Sequence, residues 1–271
     1  MHNKSRIIIS AILILLVILI ALNIKKGKIP LPIKAGNATS VSSLLAQAKA
    51  LEAKNSLLDA KAVYQRLVNE FPNSSEVMNW QKKIEDMNIK LLFSSTITPK
   101  SVLYEIKPGD TLTKIAKEFK TTADLIKKSN RLSDDKILPG RKIKVWNASF
   151  SILVDKSQNT LILKTDEEII KTYIVSTGKN NSTPIGNFKI TSKLLNPTWF
   201  KAGTVVPAGS PENILGTRWL GLNLPGYGIH GTSEPQSLGK QVTQGCIRMA
   251  NSDIEELYTI IPAGTEVTIV D

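Results

Sequence analysis

The chain has 271 residues and a formal charge of +12, enough length for two or more domains and a charge that fits a polyanionic partner: nucleic acid, anionic lipid or anionic cell-wall polymer. Its lysines are spread along the whole sequence, with no arginine-rich block or aromatic-interleaved basic stripe, which argues against nucleic acid. A single cysteine excludes an intramolecular disulfide, and one cysteine with two histidines is too few for an ordinary zinc site.

Residues Ile7 to Ile24 are apolar except for Ser10 and Asn23. A helix of that length spans roughly 27 Å, close to the hydrocarbon thickness of a bilayer. Lys4 and Arg6 precede it, and Lys25, Lys26 and Lys28 follow, so charge barely sets an orientation. Residues 1–24 read as a membrane anchor or a signal segment, with a buried core helix as the third option. No small-x-small site directly follows the apolar run, which favours anchorage over cleavage. Anchor and signal segment both export the remainder, so the expected location is the cell envelope, with the later domains outside the cytoplasm.

Residues 25–41, rich in Lys, Pro and Gly, read as a tether. Residues 42–93 turn helical: Leu44, Leu45, Ala48 and Leu51 recur at helical spacing, then Leu57, Ala60, Val63, Tyr64 and Leu67. Phe71-Pro72-Asn73-Ser74 breaks the pattern, and Ser74 or Ser75 is placed to cap a third helix running to Leu91. The stretch from Leu58 to Tyr64, with Phe71-Pro72, resembles a single tetratricopeptide-like unit. Stacked repeats normally need three or more copies, so a helical spacer or dimerising hairpin is favoured over a seat for a protein partner.

A Ser/Thr/Pro linker occupies residues 94–101. Alternation from Val102 to Ile106 predicts a strand, Pro108-Gly109 a turn, and Asp110 a helix cap. Leu112, Ile115, Ala116 and Phe119 form one helical face. Thr122 is placed to cap a second helix bearing Leu125 and Ile126, which Asn130 ends. Pro139-Gly140 turns the chain into a return strand at Ile143-Lys144-Val145. This order, with Tyr104, Gly109-Asp110-Thr111-Leu112, Ile137, Pro139-Gly140 and Ile143, resembles the LysM module over residues 102–147. The resemblance implies a small α+β (βααβ) fold. It also implies binding to a glycan such as peptidoglycan between the loop carrying Gly109, Asp110, Thr111 and Leu112 and the loop carrying Ile137 and Leu138.

From about residue 148 the pattern is β-rich. Ile152 to Val154, Thr160 to Leu163, Ile169 to Val175, Phe188 to Ile190 and Val267 to Val270 are short apolar runs between turn residues. The clearest helix is Asp253 to Ile260, with Ser252 and Glu255 in a capping-box pattern. A mainly β domain with few helices is expected at 148–271.

Cys246 lies in Gln244-Gly245-Cys246-Ile247-Arg248-Met249, and His230 in Gly228-Ile229-His230-Gly231-Thr232. A thiol attacks carbonyls as thiolate and needs a base or a lowered pKa; His230 is the one imidazole outside the apolar N-terminal segment. A tight turn at Gly245 would aim consecutive backbone N–H groups one way, as an oxyanion hole requires. On the residues alone, an inert buried thiol is the favoured reading, since single Cys and His residues often pack in cores.

Ser176-Thr177-Gly178, Thr183-Pro184-Ile185-Gly186-Asn187-Phe188, Pro197-Thr198-Trp199, Ile229-His230-Gly231-Thr232 and Gly245-Cys246-Ile247-Arg248-Met249 together resemble the L,D-transpeptidase catalytic domain of the YkuD type. The match runs from about Phe150 to the C-terminus and implies a β-sandwich. It implies Cys246 as nucleophile, His230 as base, and backbone N–H groups of Gln244, Gly245 and Cys246 as the oxyanion hole. Gly231, Thr232, Arg248 and Trp199 then become substrate or support residues, with Arg248 leaning to support. One departure is Gln244, where the family usually has histidine. The implied reaction cross-links peptidoglycan stem peptides at their diamino acids through a cysteine thioester after D-alanine leaves, with no metal or organic cofactor. The alternatives are an L,D-carboxypeptidase on the same bond and an inert peptidoglycan-binding protein. The implied partners are stem peptides, glycan strands and the membrane. The loop from Leu194 to Leu215 is long enough to form part of a cover.

Overall fold

The computed structural model describes residues 40–271, apart from Glu167 and Ala202. The expected anchor and most of the tether lie outside them. Among the described residues no helix is long and apolar enough to cross a membrane.

Three helices come first: α1 (Val41–Ala53), α2 (Leu57–Glu70) and α3 (Val77–Leu92). Their apolar stripes bury Leu44, Ala48, Ala60, Val63, Tyr64, Leu67, Trp80, Ile84 and Met87, as the helical spacing predicts. The start of α3 corrects the sequence expectation. Glu76 occupies the N-cap without a side-chain bond, because the Ser74 hydroxyl accepts the Glu76 N–H instead. The helical segment is also no free-standing spacer. Ile89 and Leu92 share a core with the β-rich domain. Asn88 Nδ2 donates to the carbonyls of Ile169 and Ile170, each at 3.1 Å, and Lys61 pairs with Glu168.

Next come β1 (Ser101–Glu105), α4 (Leu112–Glu118), α5 (Ala123–Asn130) and β2 (Lys142–Trp146), in the expected order. β1 and β2 pair antiparallel over a small core of Ile106, Leu112, Ile115, Ala116, Ile126, Ile143 and Val145. Thr122 caps α5 as predicted, accepting the Leu125 N–H. Asp110 does not cap α4. Its carboxylate accepts the Lys107 N–H and the Tyr104 hydroxyl, and Thr111 is the cap.

This module is fastened to its neighbours by buried contacts. Leu125 and Trp146 belong to the core of the β-rich domain, and Trp146 stacks on Phe150 with ring centroids 5.5 Å apart. Lys144 is 2% exposed, and its ammonium donates to the carbonyls of Leu91 and Ser94 at the end of α3. That position suits a cation, since the last carbonyls of a helix lack partners. Burial lowers its pKa to about 8. Thr122 also donates its hydroxyl to the Thr259 carbonyl.

The β-rich domain comprises β3 (Phe150–Asp155), β4 (Thr160–Thr165), β5 (Glu168–Gly178), β6 (Gly186–Leu195), β7 (Trp199–Lys201), β8 (Thr204–Val206), β9 (Arg218–Leu222), β10 (Gly228–His230), β11 (Gln241–Thr243), β12 (Ile247–Met249) and β13 (Glu266–Val270), with one helix, α6 (Asn251–Ile260). The sheet order is β11-β5-β12-β10-β9-β6-β13-β3-β4, and β4 pairs back onto β5. Two long strands make that closure. The first part of β5 pairs with β4 and its end with β12. β6 pairs first with β13, then with β9. Strands that switch partners in this way form the corners between two packed layers. The interior holds Val154, Leu161, Leu163, Val175, Leu220, Ile229, Met249, Ile254, Leu257 and Val267, each worth roughly 1.5–3 kcal/mol when fully buried. The capping-box expectation fails at α6: it starts at Asn251 with Ala250 as N-cap and no side-chain cap.

Candidate active site

β10 and β12 lie side by side, parallel, with Ile229 opposite Ile247 and His230 opposite Arg248. Ile229 and Ile247 are buried in the core. Successive side chains of a strand point to opposite faces. His230 and Arg248 therefore project from the other face; Cys246 lies in the bend two residues before Arg248, and the Arg248 charge acts on both its thiol and the imidazole. His230 and Cys246, sixteen positions apart in sequence, come from one strand and from the turn that leads into its neighbour.

The imidazole is 2% exposed. Its Nδ1 lies 2.7 Å from the Gly231 carbonyl oxygen. A carbonyl only accepts, so Nδ1 carries the proton and Nε2 keeps a lone pair. Burial lowers the His230 pKa from 6.5 to about 4, against the pull of the Gly231 bond; the charge of Arg248 adds to the lowering. Burial also pushes the Cys246 thiol above its ordinary range, while the Gly228 N–H and Arg248 oppose the rise. The thiol donates to the Gly226 carbonyl at 3.4 Å. At rest the thiol and the imidazole are therefore both neutral. An imidazole in that state can take a proton as a carbonyl is attacked.

The turn that presents the thiol requires Gly245. Its φ is +137°, and a Cβ there would sit 2.7 Å from the Tyr227 ring, so both backbone and space exclude a side chain. Thr243 ties the turn together: its hydroxyl donates to the Cys246 carbonyl at 2.6 Å and accepts the Gly245 N–H at 3.2 Å. Of the three N–H groups expected for an oxyanion hole, that of Gly245 is thus already engaged; Gln244 and Cys246 are left as candidates. Thr183 braces the same turn from behind. Its hydroxyl accepts the Gly178 N–H at 2.7 Å and donates to the Gly245 carbonyl at 2.8 Å. This is how two separated motifs, one ending at Gly178 and one opening at Thr183, meet the nucleophile turn.

Arg248 is engaged within the protein. Its Nη1 donates to Glu234 at 2.6 Å and to the Ser237 hydroxyl at 2.9 Å, pinning the loop that follows Thr232. Asn251 holds the start of that loop. Its side chain donates to the Thr232 carbonyl at 2.9 Å and accepts the N–H groups of Thr232 and Thr217. The sequence reading did not single out Asn251, Glu234, Tyr227 or Trp219. Asn251 is the first residue of α6, where an Asn reads as an ordinary helix-start signal, and here that side chain is spent on the loop instead.

The other expected site residues fall elsewhere. Trp199 lies in β7, opposite Val206 in a small hairpin. Asn213 anchors that hairpin by donating to the Pro197 carbonyl at 2.9 Å, and Phe200 and Val205 are exposed on it. In the small module, Gly109 takes φ +82° in its turn, and Asp110 and Thr111 are turned to internal bonds. Leu112 is 2% exposed, a core residue whose side chain no glycan can touch. Ile137 packs against that core, and Leu138 is exposed. Among the described residues no group of three or more His, Cys, Asp or Glu is placed to hold a metal ion.

Residues 149–269 match the L,D-transpeptidase catalytic domain (YkuD) and residues 104–146 the LysM domain. A putative L,D-transpeptidase YkuD of Bacillus licheniformis is 36% identical over 176 residues, covering 62% of this chain and 98% of the relative. Putative L,D-transpeptidase YqjB of Bacillus subtilis is 42% identical over 126 residues, covering 44% of this chain and 70% of the relative.

Proposed function

The chain belongs to the YkuD family of L,D-transpeptidases, and we propose that it performs acyl transfer on peptidoglycan stem peptides with Cys246 as nucleophile and His230 as base. The observation that supports this reading is the parallel pairing of β10 and β12, in which His230 lies opposite Arg248, two residues after Cys246.

In this reading, Cys246 Sγ attacks the carbonyl of the third stem residue while its proton passes to His230 Nε2. The N–H groups of Cys246 and Gln244 hold the oxyanion. The tetrahedral adduct collapses, the bond to D-alanine breaks, and the imidazolium returns its proton to the departing amine. A thioester remains. The side-chain amine of a second stem attacks it, loses a proton to His230 and displaces the thiolate, which is reprotonated. The product is a link between two diamino acids. Water attacking in place of the amine would give the carboxypeptidase reaction. Gln244 stands where the family usually has histidine, and its side chain is exposed. The base is supplied from β10, so activity survives that replacement.

The LysM domain supplies the affinity for glycan strands. The apolar segment 7–24 would anchor the protein in the membrane with these domains outside the cytoplasm. The tetratricopeptide-like hairpin serves as a buttress for β5 rather than a seat for a protein partner, because α3 already spends contacts on Ile169, Ile170 and Thr172.

The test is purified enzyme with disaccharide-tetrapeptide, followed by product analysis. Wild type should yield cross-linked dimer, and Cys246→Ala and His230→Ala should yield none. Tripeptide monomer as the sole product would reject transfer in favour of hydrolysis. Turnover unaffected by Cys246→Ala would reject the nucleophile.

A further inference from the structure

Trp219 stands in β9 directly opposite His230 in β10, and Gly221 stands opposite Gly228. The Trp219 and His230 rings stack with centroids 5.8 Å apart and planes 17° apart. The two glycines form the bed for the indole. A Cβ on Gly228 would meet its Cζ2 and Cη2 at 2.6 and 2.7 Å, and one on Gly221 would meet its Nε1 at 2.8 Å. Any other residue at either position would lift the indole off the sheet. This is also the face from which His230 and Arg248 project, since Trp219 pairs with His230 and His230 with Arg248 across the strands.

The imidazole has a single ring hydrogen bond, from Nδ1–H to the Gly231 carbonyl. One bond sets the tautomer but leaves the ring free to tilt about it. A flat aromatic partner at stacking distance removes that freedom.

We propose that Trp219 is a positioning residue of the reaction: its indole, seated on Gly221 and Gly228 and stacked on His230, holds the imidazole in the orientation in which Nε2 serves the thiol. The proposal rests on the assignment of His230 as base. Trp219 touches neither sulfur nor substrate in this scheme and acts through the ring it holds. Displacing a base by a fraction of an ångström lowers turnover far more than it alters binding. The stack also walls the imidazole from water. The groups around His230 are Trp219 from β9 and Arg248 from β12, with Glu234 through its pair with Arg248 and Cys246 two residues before Arg248 in the chain. Opening the wall lets water reach a ring that burial now keeps neutral.

The experiment compares Trp219→Leu and Trp219→Phe with wild type, reading kcat and KM on disaccharide-tetrapeptide against pH. Trp219→Leu keeps apolar bulk without an aromatic face. Its kcat should fall by about tenfold or more with KM changed by less than about twofold, in line with a lost orientation. Its acidic limb should move up towards the ordinary imidazole range, and Trp219→Phe should recover most of both. A kcat within about twofold of wild type in Trp219→Leu, an unmoved limb, or equal damage in Trp219→Phe would each overturn the proposal. Should Trp219→Leu not fold, wild-type fluorescence decides. Protonating His230 should quench the stacked indole in a step that His230→Gln lacks, and no such step means no functional stack. His230→Ala serves as the separate control: full activity there sinks the base assignment itself, whatever Trp219 does.

Discussion

Acidification is expected to destabilise this fold through His230. The imidazole protonates at about 4 in the native state and at 6.5 when exposed. Between those values the unfolded chain binds a proton that the folded one does not. The contribution is therefore complete above pH 6.5, falls as pH drops, and is exhausted near pH 4. The gap of 6.5 minus about 4, at about 1.36 kcal/mol per pH unit, amounts to about 3 kcal/mol. Carboxylates titrate in the same window, so the assay must isolate the histidine. Urea unfolding of wild type and His230→Gln at half-unit steps from pH 4 to 8 does so. The stability difference between the two proteins should shift in favour of the variant by about 3 kcal/mol across the window, with a slope of one proton. Parallel curves, with no pH-dependent difference, would refute the claim that a neutral, desolvated imidazole sits in this site.

Thr183→Val keeps the shape but leaves the Gly178 N–H and the Gly245 carbonyl without the bridging hydroxyl. It should cost about 1–3 kcal/mol in urea unfolding and lower turnover, whereas Thr183→Ser should cost less on both readouts. Gly245→Ala faces both a φ of +137° and the Tyr227 ring at 2.7 Å; intact-mass measurement of Cys246 acylation by a carbapenem should show almost no adduct, and wild-type labelling would contradict the turn geometry. Arg248→Met removes the bonds to Glu234 and Ser237. Thermal denaturation should register a loss larger than that of Glu234→Gln, because the Arg248 side chain is 9% exposed and that of Glu234 50%. Gln244→His should leave turnover close to wild type in the tetrapeptide assay, and a large gain would mean that His230 is not the sole base.

The LysM module was the easiest part to read, because its information is local. Thr122 before an apolar helix, Asn130 at its end and Pro139-Gly140 before the return strand each act within a few residues. The capping assignments went astray where a nearby group competed: Asp110 turned back to Lys107 and Tyr104, and Ser74 to Glu76. The long β strands showed as apolar runs, but β7 to β12 did not. Strands of three residues are too short for alternation to register, and β9 reads as one Trp-Leu pair among glycines. Yet β9 and β10 bring Trp219 and His230 together, and β12 begins directly after Cys246. The motifs pointed to Cys246 and His230 as nucleophile and base. They were silent on Thr183 as a brace, on Asn251 and Glu234, and on the indole behind the imidazole, because those roles arise from pairing across the sheet. The docking of α3 on β5 was equally hidden, since an amphipathic stripe does not say whether helix or sheet will cover it.

Lys144, Leu125 and Trp146 have a mechanical consequence. A carbohydrate-gripping domain joined by a loose string would let the blade wander along a strand of wall. Here the two domains share an interior through Leu125 and Trp146, so on the proposed function the spacing from held sugar to cut peptide would be a fixed gauge of the molecule. Such a gauge would select stems at one set offset along the glycan rather than any stem within reach.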